Sequence, residues 1–244
     1  MSQDARVPSV YRLVSVARAD DVAETARTLA AGGAEDGTLV WAQQEKAGGP
    51  PTDLACALVL RPDCSAETAV QLSYVGVLAL AEALGTLLPP TPLTFVWPGS
   101  LVLCGARIAE VRVETAAAGE DNESTWLLLL VRVHVGCRRS QDLEQLTSLG
   151  DEGCGDVTGQ AVLEAFARHF LSWAGSWLDQ GFGPVRASWM KRAEGVGAEI
   201  TLPVGGAELT GTFVDVDPAG RLELDTAGGR RTIAVSDTPS AAPA

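Results

Sequence analysis

The spacing of apolar and polar positions first alternates strands with helices and then gives strands alone. Residues 10–16 are rich in β-branched and aromatic side chains and read as a first strand. Asp20 or Asp21 then caps a helix that runs to about Leu29 and stops at Gly32-Gly33. Thr38–Ala42 reads as a second strand, and the unbroken apolar run of Leu54–Leu60 suits a third strand covered on both faces. Ser65, followed by Glu67 and Thr68, opens a helix to about Leu84 that is stopped by Gly85 and Pro89-Pro90. Its apolar residues go nearly all the way round, as expected of a central helix packed on the sheet.

Residues 95–114 read as a strand, a tight Trp97-Pro98-Gly99-Ser100 corner, a short strand, a turn at Cys104-Gly105, and a strand carrying Arg107. An acidic, small-residue loop over 115–125 leads to another apolar strand over 126–135, and 141–159 is loop-like. Thr158 caps a helix from Gln160 to about Leu178. There Val162, Phe166, Phe170, Trp173 and Trp177 recur at helical spacing, which makes them core residues rather than a ligand box. Gly181-Phe182-Gly183-Pro184 breaks that helix. Over 195–235 short strand patterns alternate with Gly-containing turns, which suits a small β-barrel of hairpins. The expected organisation is a domain over 1–183, a small barrel over 184–236, and a disordered Ser/Thr/Pro/Ala tail over 237–244.

Composition adds exclusions. Apolar residues make up 46% and charged residues 20%, the balance of a folded globular chain. A formal charge of −13, from 31 acidic against 18 basic side chains, argues against a nucleic-acid surface and an anionic membrane surface, and it would repel an acidic protein partner. The most apolar helical stretch, residues 72–81, is shorter than the roughly 20 residues that cross a bilayer, and the first residues carry no leader pattern, so a cytoplasmic protein is expected. The five cysteines are widely spaced without a C-x-x-C pair and read as reduced. With only two histidines, His134 and His169, a His-based metal site or a Ser-His-Asp arrangement has little to draw on; both read as packing residues. Neither a Walker-type nor a G-x-G-x-x-G segment occurs.

The Trp97-Pro98 corner and the strand seven residues beyond it resemble the signature of biotin protein ligases and their lipoate-ligase relatives. In that family a Lys-Trp-Pro-Asn-Asp corner is followed by a Lys-x-x-Gly strand. Other pieces agree in order and spacing: Leu39-Val40-Trp41-Ala42, the strand end at Leu58 to Pro62, Leu72-Ser73-Tyr74-Val75-Gly76, Thr147-Ser148-Leu149, Gly181-Phe182, and the hairpin from Gly211 to Leu222. The resemblance implies an α+β, two-layer fold: a mixed, mainly antiparallel sheet backed by helices, with a small C-terminal SH3-like barrel. It also implies a chemistry in which ATP, with magnesium, adenylates biotin or lipoate, and the acyl group then passes to a lysine of a biotinyl or lipoyl carrier protein.

Several chemical positions depart from the family pattern. The family's Gly-Arg-Gly-Arg-x-Gly ligand loop corresponds to Lys46, Gly48 and Gly49 ahead of Pro50-Pro51, with no arginine and two lost N–H donors. Val96 replaces the corner lysine, Gly99-Ser100 the Asn-Asp pair, Arg107 the reactive-centre lysine, and Glu110 the following glycine. Leu130, Arg132 and His134 match Gly-x-Gly-x-Asn. The candidate ligand-binding residues are Lys46, Gly48, Gly49, Trp97, Arg107 and Arg132, with Arg107 the candidate catalytic group; no metal ligand is expected. Each has a plain alternative: a surface loop for 46–49, packing for Trp97, a solvated strand for Arg107. On strict alternation Glu110, Arg112 and Glu114 lie opposite Arg107 on a charged, exposed face.

Three readings therefore stand: a ligase-fold protein with a degenerate adenylation site that binds a small carboxylic acid or a protein, an active divergent ligase or acyltransferase, and a structural partner of a carrier or carboxylase. If the site binds an acid, Arg107 is the residue expected to hold it. Arg107→Ala should then abolish the heat of acid binding in calorimetry.

Overall fold

The computed structural model describes residues 5–42, 53–115, 126–136 and 146–238. In chain order its elements are β1 (Arg12–Val16), α1 (Asp21–Ala31), β2 (Thr38–Ala42), β3 (Leu54–Leu60), α2 (Ala66–Ala69), α3 (Leu72–Leu87), β4 (Leu93–Val96), β5 (Ser100–Leu103), β6 (Ala106–Thr115) and β7 (Leu127–Val133). They continue with α4 (Gly159–Gln180), α5 (Phe182–Met190), β8 (Glu199–Val204), β9 (Ala207–Val216), β10 (Leu222–Thr226) and β11 (Gly229–Ile233), and end in a 3₁₀ turn over Val235–Asp237. Seven strands form one sheet in the order β1-β2-β3-β7-β6-β5-β4, and four form a second in the order β11-β10-β9-β8. Only the β1–β2 pair is parallel in the large sheet, so the expected mixed, mainly antiparallel sheet backed by helices is present.

Side-chain alternation gives the sheet two differently covered faces. On β2, β3 and β7 the residues Val40, Ala42, Ala55, Ala57, Val59 and Leu128 face Val22, Ala26 and Ala30 of α1. The alternate residues Leu39, Trp41, Cys56, Leu58, Leu129, Val131 and Val133 face α3 and α4 in the main core. Helix α3 is buried all round, and Gly76 lets it approach the sheet. A Cβ there would stand 2.9 Å from Val111 Cγ1 and 3.0 Å from Leu129 Cδ2.

Capping agrees with the sequence reading. The Ser65 hydroxyl accepts from Thr68 N, and the Thr158 hydroxyl accepts from Ala161 N. Three features depart from it. The single helix expected from Ser65 is divided at Val70-Gln71, so α2 and α3 are separate. Together they span the 22 residues Ala66–Leu87, long and apolar enough to cross a bilayer, but 72% of the most apolar 18-residue window is buried inside the fold. Beyond the break at Gly181, whose φ is 72°, the chain forms α5 instead of staying irregular. Phe182, Val185 and Trp189 recur at helical spacing and are all buried. Lastly, the chain stays ordered through Thr238, where the 3₁₀ turn is tied down by Gly205 N donating to Asp237 O.

Buried polar groups on the first turn of α3 join the two sheets. Tyr74 donates its hydroxyl to Gly220 O at 2.8 Å and accepts from Trp97 Nε1 at 2.8 Å. Gln71 donates to Pro218 O at 3.1 Å and accepts from Trp177 Nε1 at 2.9 Å. Arg186 of α5 adds hydrogen bonds to Val216 O and Asp215 of β9. Burial pushes the Tyr74 hydroxyl well above the ordinary tyrosine range, so it stays a donor at any ordinary pH. Tyr74→Phe keeps the ring but leaves a buried N–H and a buried C=O unpaired, and it is expected to cost about 2–4 kcal/mol in urea denaturation. A loss below about 0.5 kcal/mol would show that the relay does not hold the corner.

Candidate functional site

The strand carrying Arg107 is not regular. Val102 opposes Arg107 and Leu101 opposes Ala109, so Ile108 is an extra residue in β6, a β-bulge. Ile108 and Ala109 both turn into the main core, and the alternation restarts one residue late. Ser100 opposes Glu110 and Val102 opposes Arg107, which places Arg107 and Glu110 on the same face. The expectation that strict alternation sets Glu110, Arg112 and Glu114 opposite Arg107 is therefore corrected. The four share the face turned away from α3, and all four border one groove.

Neighbouring strands complete that face. Glu110 pairs across to Arg132, and Arg132 to Ala55; Arg112 pairs to Leu130. Together with Ala19, Val22 and Ala23 of the α1 segment, Glu110, Arg112, Leu130 and Arg132 enclose a space of only about 60 Å³. Arg112 Nε lies 3.8 Å from Glu110 Oε1, and Glu114 is gripped by Arg27 through bonds of 2.7 and 3.0 Å. The Arg107 guanidinium lines the groove and makes no ion pair or side-chain hydrogen bond with a described residue. Its backbone is fixed by Thr147 N donating to Arg107 O at 2.9 Å, and Leu149 N donates to His134 O at 3.0 Å. The Thr147-Ser148-Leu149 segment thus clamps the ends of β6 and β7.

His134 is 8% exposed, and its Nδ1 lies 2.9 Å from Asp53 Oδ2. Asp53 also accepts from Val135 N at 3.1 Å, so it orients the ring and holds the end of β7. This pairing was not legible in the chain, because 81 residues separate the partners and Asp53 reads as the end of a loop. His169, the other histidine, sits on α4 with Nδ1 3.2 Å from Glu82 Oε2. Among the described residues no group of three or more His, Cys, Asp or Glu side chains could hold a metal ion.

The larger groove measures about 450 Å³. It runs along the edge of β6 from Arg107 to Thr115, past the last residue that β5 covers, and its far wall is Leu202, Pro203 and the 235–238 turn of the small sheet. Trp97 borders it but is 4% exposed with its N–H given to Tyr74, so its main work is packing. Of the other sequence candidates, Arg132 stands on the same face of the sheet as Arg107 but faces the small space by α1. Lys46, Gly48 and Gly49 lie outside the described residues.

Sequence profiles match in two pieces: the biotin/lipoate A/B protein ligase family over residues 7–191, and the biotin protein ligase C-terminal domain over 195–237. The chain belongs to the biotin/lipoate A/B protein ligase family. It is 30% identical to the biotin--[acetyl-CoA-carboxylase] ligase of Paracoccus denitrificans over 193 residues, covering 77% of this chain and 80% of that protein. Against the bifunctional ligase/repressor BirA of Bacillus subtilis the identity is 22%, covering 88% and 69% of the two chains. In structure it superposes on a biotin protein ligase-like protein of unknown function from Silicibacter sp. TM1040 with a TM-score of 0.83 and 25% identity, over 97% of this chain and 100% of that one. A single-residue mutant of the Aquifex aeolicus biotin protein ligase in complex with biotin shares the fold, with a TM-score of 0.75 and 18% identity, over 94% and 98% of the two chains.

Within the family frame, the Trp97–Pro98 corner, whose peptide is cis, sits unusually close to β6. Val111 N donates to Gly99 O at 2.8 Å, and a Cβ on Gly99 would stand 2.0 Å from Val111 O. The asparagine that the family pattern has at this position therefore does not fit this backbone. Gly99→Asn is expected to destabilise the fold by about 1–3 kcal/mol or more and to perturb the fluorescence of Trp97. An unchanged melting temperature and emission would mean that the corner yields freely.

Proposed function

We propose that this family member has a degenerate adenylation site and serves as a binding module for a small carboxylic acid, without ordinary ligase turnover. The observation that carries the reading is the roughly 60 Å³ space among Glu110, Arg112, Leu130 and Arg132, against the roughly 300 Å³ or more that small-molecule sites enclose. Two of those side chains, Leu130 and Arg132, stand where the family pattern has glycine, and so does Glu110. Adenylation would bring the carboxylate of the acid and the α-phosphate of ATP together, and both are anions needing fixed cations. At this face Glu110 adds a negative charge beside Arg112 and Arg132. Arg107 remains as a cation able to take a carboxylate through its planar fork.

The second reading, an active divergent ligase that modifies a carrier-protein lysine, is favoured by the 30% identity to the Paracoccus ligase. One assay separates the two. The protein is incubated with ATP, magnesium and, in turn, biotin, lipoate and octanoate, and pyrophosphate is measured. No acid-dependent release is expected. Release above the no-acid control with any of the three would establish adenylation and overturn the degenerate-site reading.

A further inference from the structure

The two halves of α4 have different surroundings. From Gly159 to Phe170 only Arg168 is exposed, because α3 and β3 pack on the helix and the N-terminal segment is bonded to it through Arg6 N to Glu164 and Tyr11 to Ala167 O. From Leu171 onward one side is uncovered. Leu171 is 37% exposed and Leu178 74%, the most of any large apolar side chain among the described residues. The two leucines are seven residues apart with Ala174 and Gly175 between them, so all four share one face of the helix. A Cβ on Gly175 would meet nothing within 4 Å, so no described residue occupies the space over the middle of the stripe.

The spacing of this stripe reads the same from either end. A second α4 laid antiparallel about a two-fold axis midway between Ala174 and Gly175 sets Leu171 against Leu178 of the second copy, and the symmetry repeats the contact. The small residues at the centre let the two backbones approach. Charge agrees with the same arrangement. Arg168 and Asp179 are exposed on one flank of the stripe, and neither has an ion pair or side-chain hydrogen bond among the described residues. Asp179 stands in the last turn of α4, where the carbonyl end of the helix disfavours a carboxylate, and no basic residue accompanies it in that turn. Under the two-fold, Arg168 comes level with Asp179 of the second copy to within about 3 Å along the axis, on the same side, at about 1.5 Å of rise per residue.

We propose that this face of α4 is a homodimer contact, in which two copies cross antiparallel through Leu171, Ala174, Gly175 and Leu178 between two Arg168–Asp179 ion pairs. The match of the stripe to its own reversed copy favours a second copy of this chain over an unrelated partner. The face covers about three helical turns, less than a standard-size interface, so a dissociation constant on the order of 10–100 µM is expected. The inference is independent of the acid-binding reading, since α4 packs on the face of the sheet opposite to Arg107.

Sedimentation velocity of the full chain, at low salt and from about 1 to about 500 µM, tests it by the monomer–dimer midpoint. Leu178→Glu alters a side chain already in solvent, so circular dichroism should be unchanged while the midpoint rises at least about tenfold. Arg168→Glu and Asp179→Arg should each weaken the dimer, and the two together should restore it to within about threefold of the parent. A chain that stays monomeric through the whole range overturns the contact. So does a dimer whose midpoint Leu178→Glu leaves unchanged, which would lie elsewhere on the surface, or a double charge reversal no better than either single one. None of these outcomes touches the pyrophosphate result, which alone decides the degenerate-site reading.

Discussion

The groove beside Arg107 takes its shape from a few hydrogen bonds inside a region that is otherwise apolar. Tyr74 and Gln71 begin a helix buried on all sides, where an unpaired polar atom costs more than anywhere else in the chain. Each finds both a donor and an acceptor, and the four pairings reach three parts of the fold: the Trp97 corner, α4, and the 217–220 turn of the small sheet. A satisfied buried network of this kind fixes geometry more than it adds stability. Aromatic packing reinforces it, with Phe182 and Trp189 set edge-on to Tyr74 at 5.2 and 5.3 Å. Trp189 Nε1 lacks a hydrogen-bond partner and is the one such buried side-chain atom among the described residues.

Fixing the small sheet this way defines a wall for the open side of β6. Strand β5 covers β6 only as far as Glu110, and the Gly99 contact with Val111 closes that pairing off. Beyond it the strand edge faces Leu202 of β8 and the 235–238 turn, with which it forms no strand pairing. The groove is thus a product of where one strand stops and where a second domain is held, and no single residue creates it.

Much of the architecture was legible because it is written in apolar runs. Leu54–Leu60 and the helix around Leu72–Leu87 carry buried residues on every side, and both signals survive any detail of packing. The cap residues Ser65 and Thr158 were legible for the same local reason. The face of Glu110 was not. A bulge at Ile108 adds one residue, and period-two alternation has no way to register it, since Ile108 and Ala109 are both apolar in either reading. Helix α5 was hidden by Gly181 and Pro184, which signal the end of one helix and say nothing of a second beginning at once. The pairing of Asp53 with His134 and the groove at Leu202 depend on contacts between distant segments, which local spacing cannot express. Arg107 could be singled out from the resemblance, but its lack of a carboxylate partner among the described residues is a property of the folded face.

The close seating of Gly99 on Val111 also bears on how this chain can change over generations. A corner with no side chain, settled where a Cβ would stand 2.0 Å from a carbonyl oxygen, has no room for a larger residue by one substitution. The backbone of β6 or the corner would have to move first, and the corner is held by Trp97 and Tyr74 while β6 is pressed by α3 through Gly76. A larger residue here therefore needs a shift of the backbone as well as a change of side chain. Such a contact couples the identity of one residue to the position of a whole strand, so that the corner and β6 can change only together.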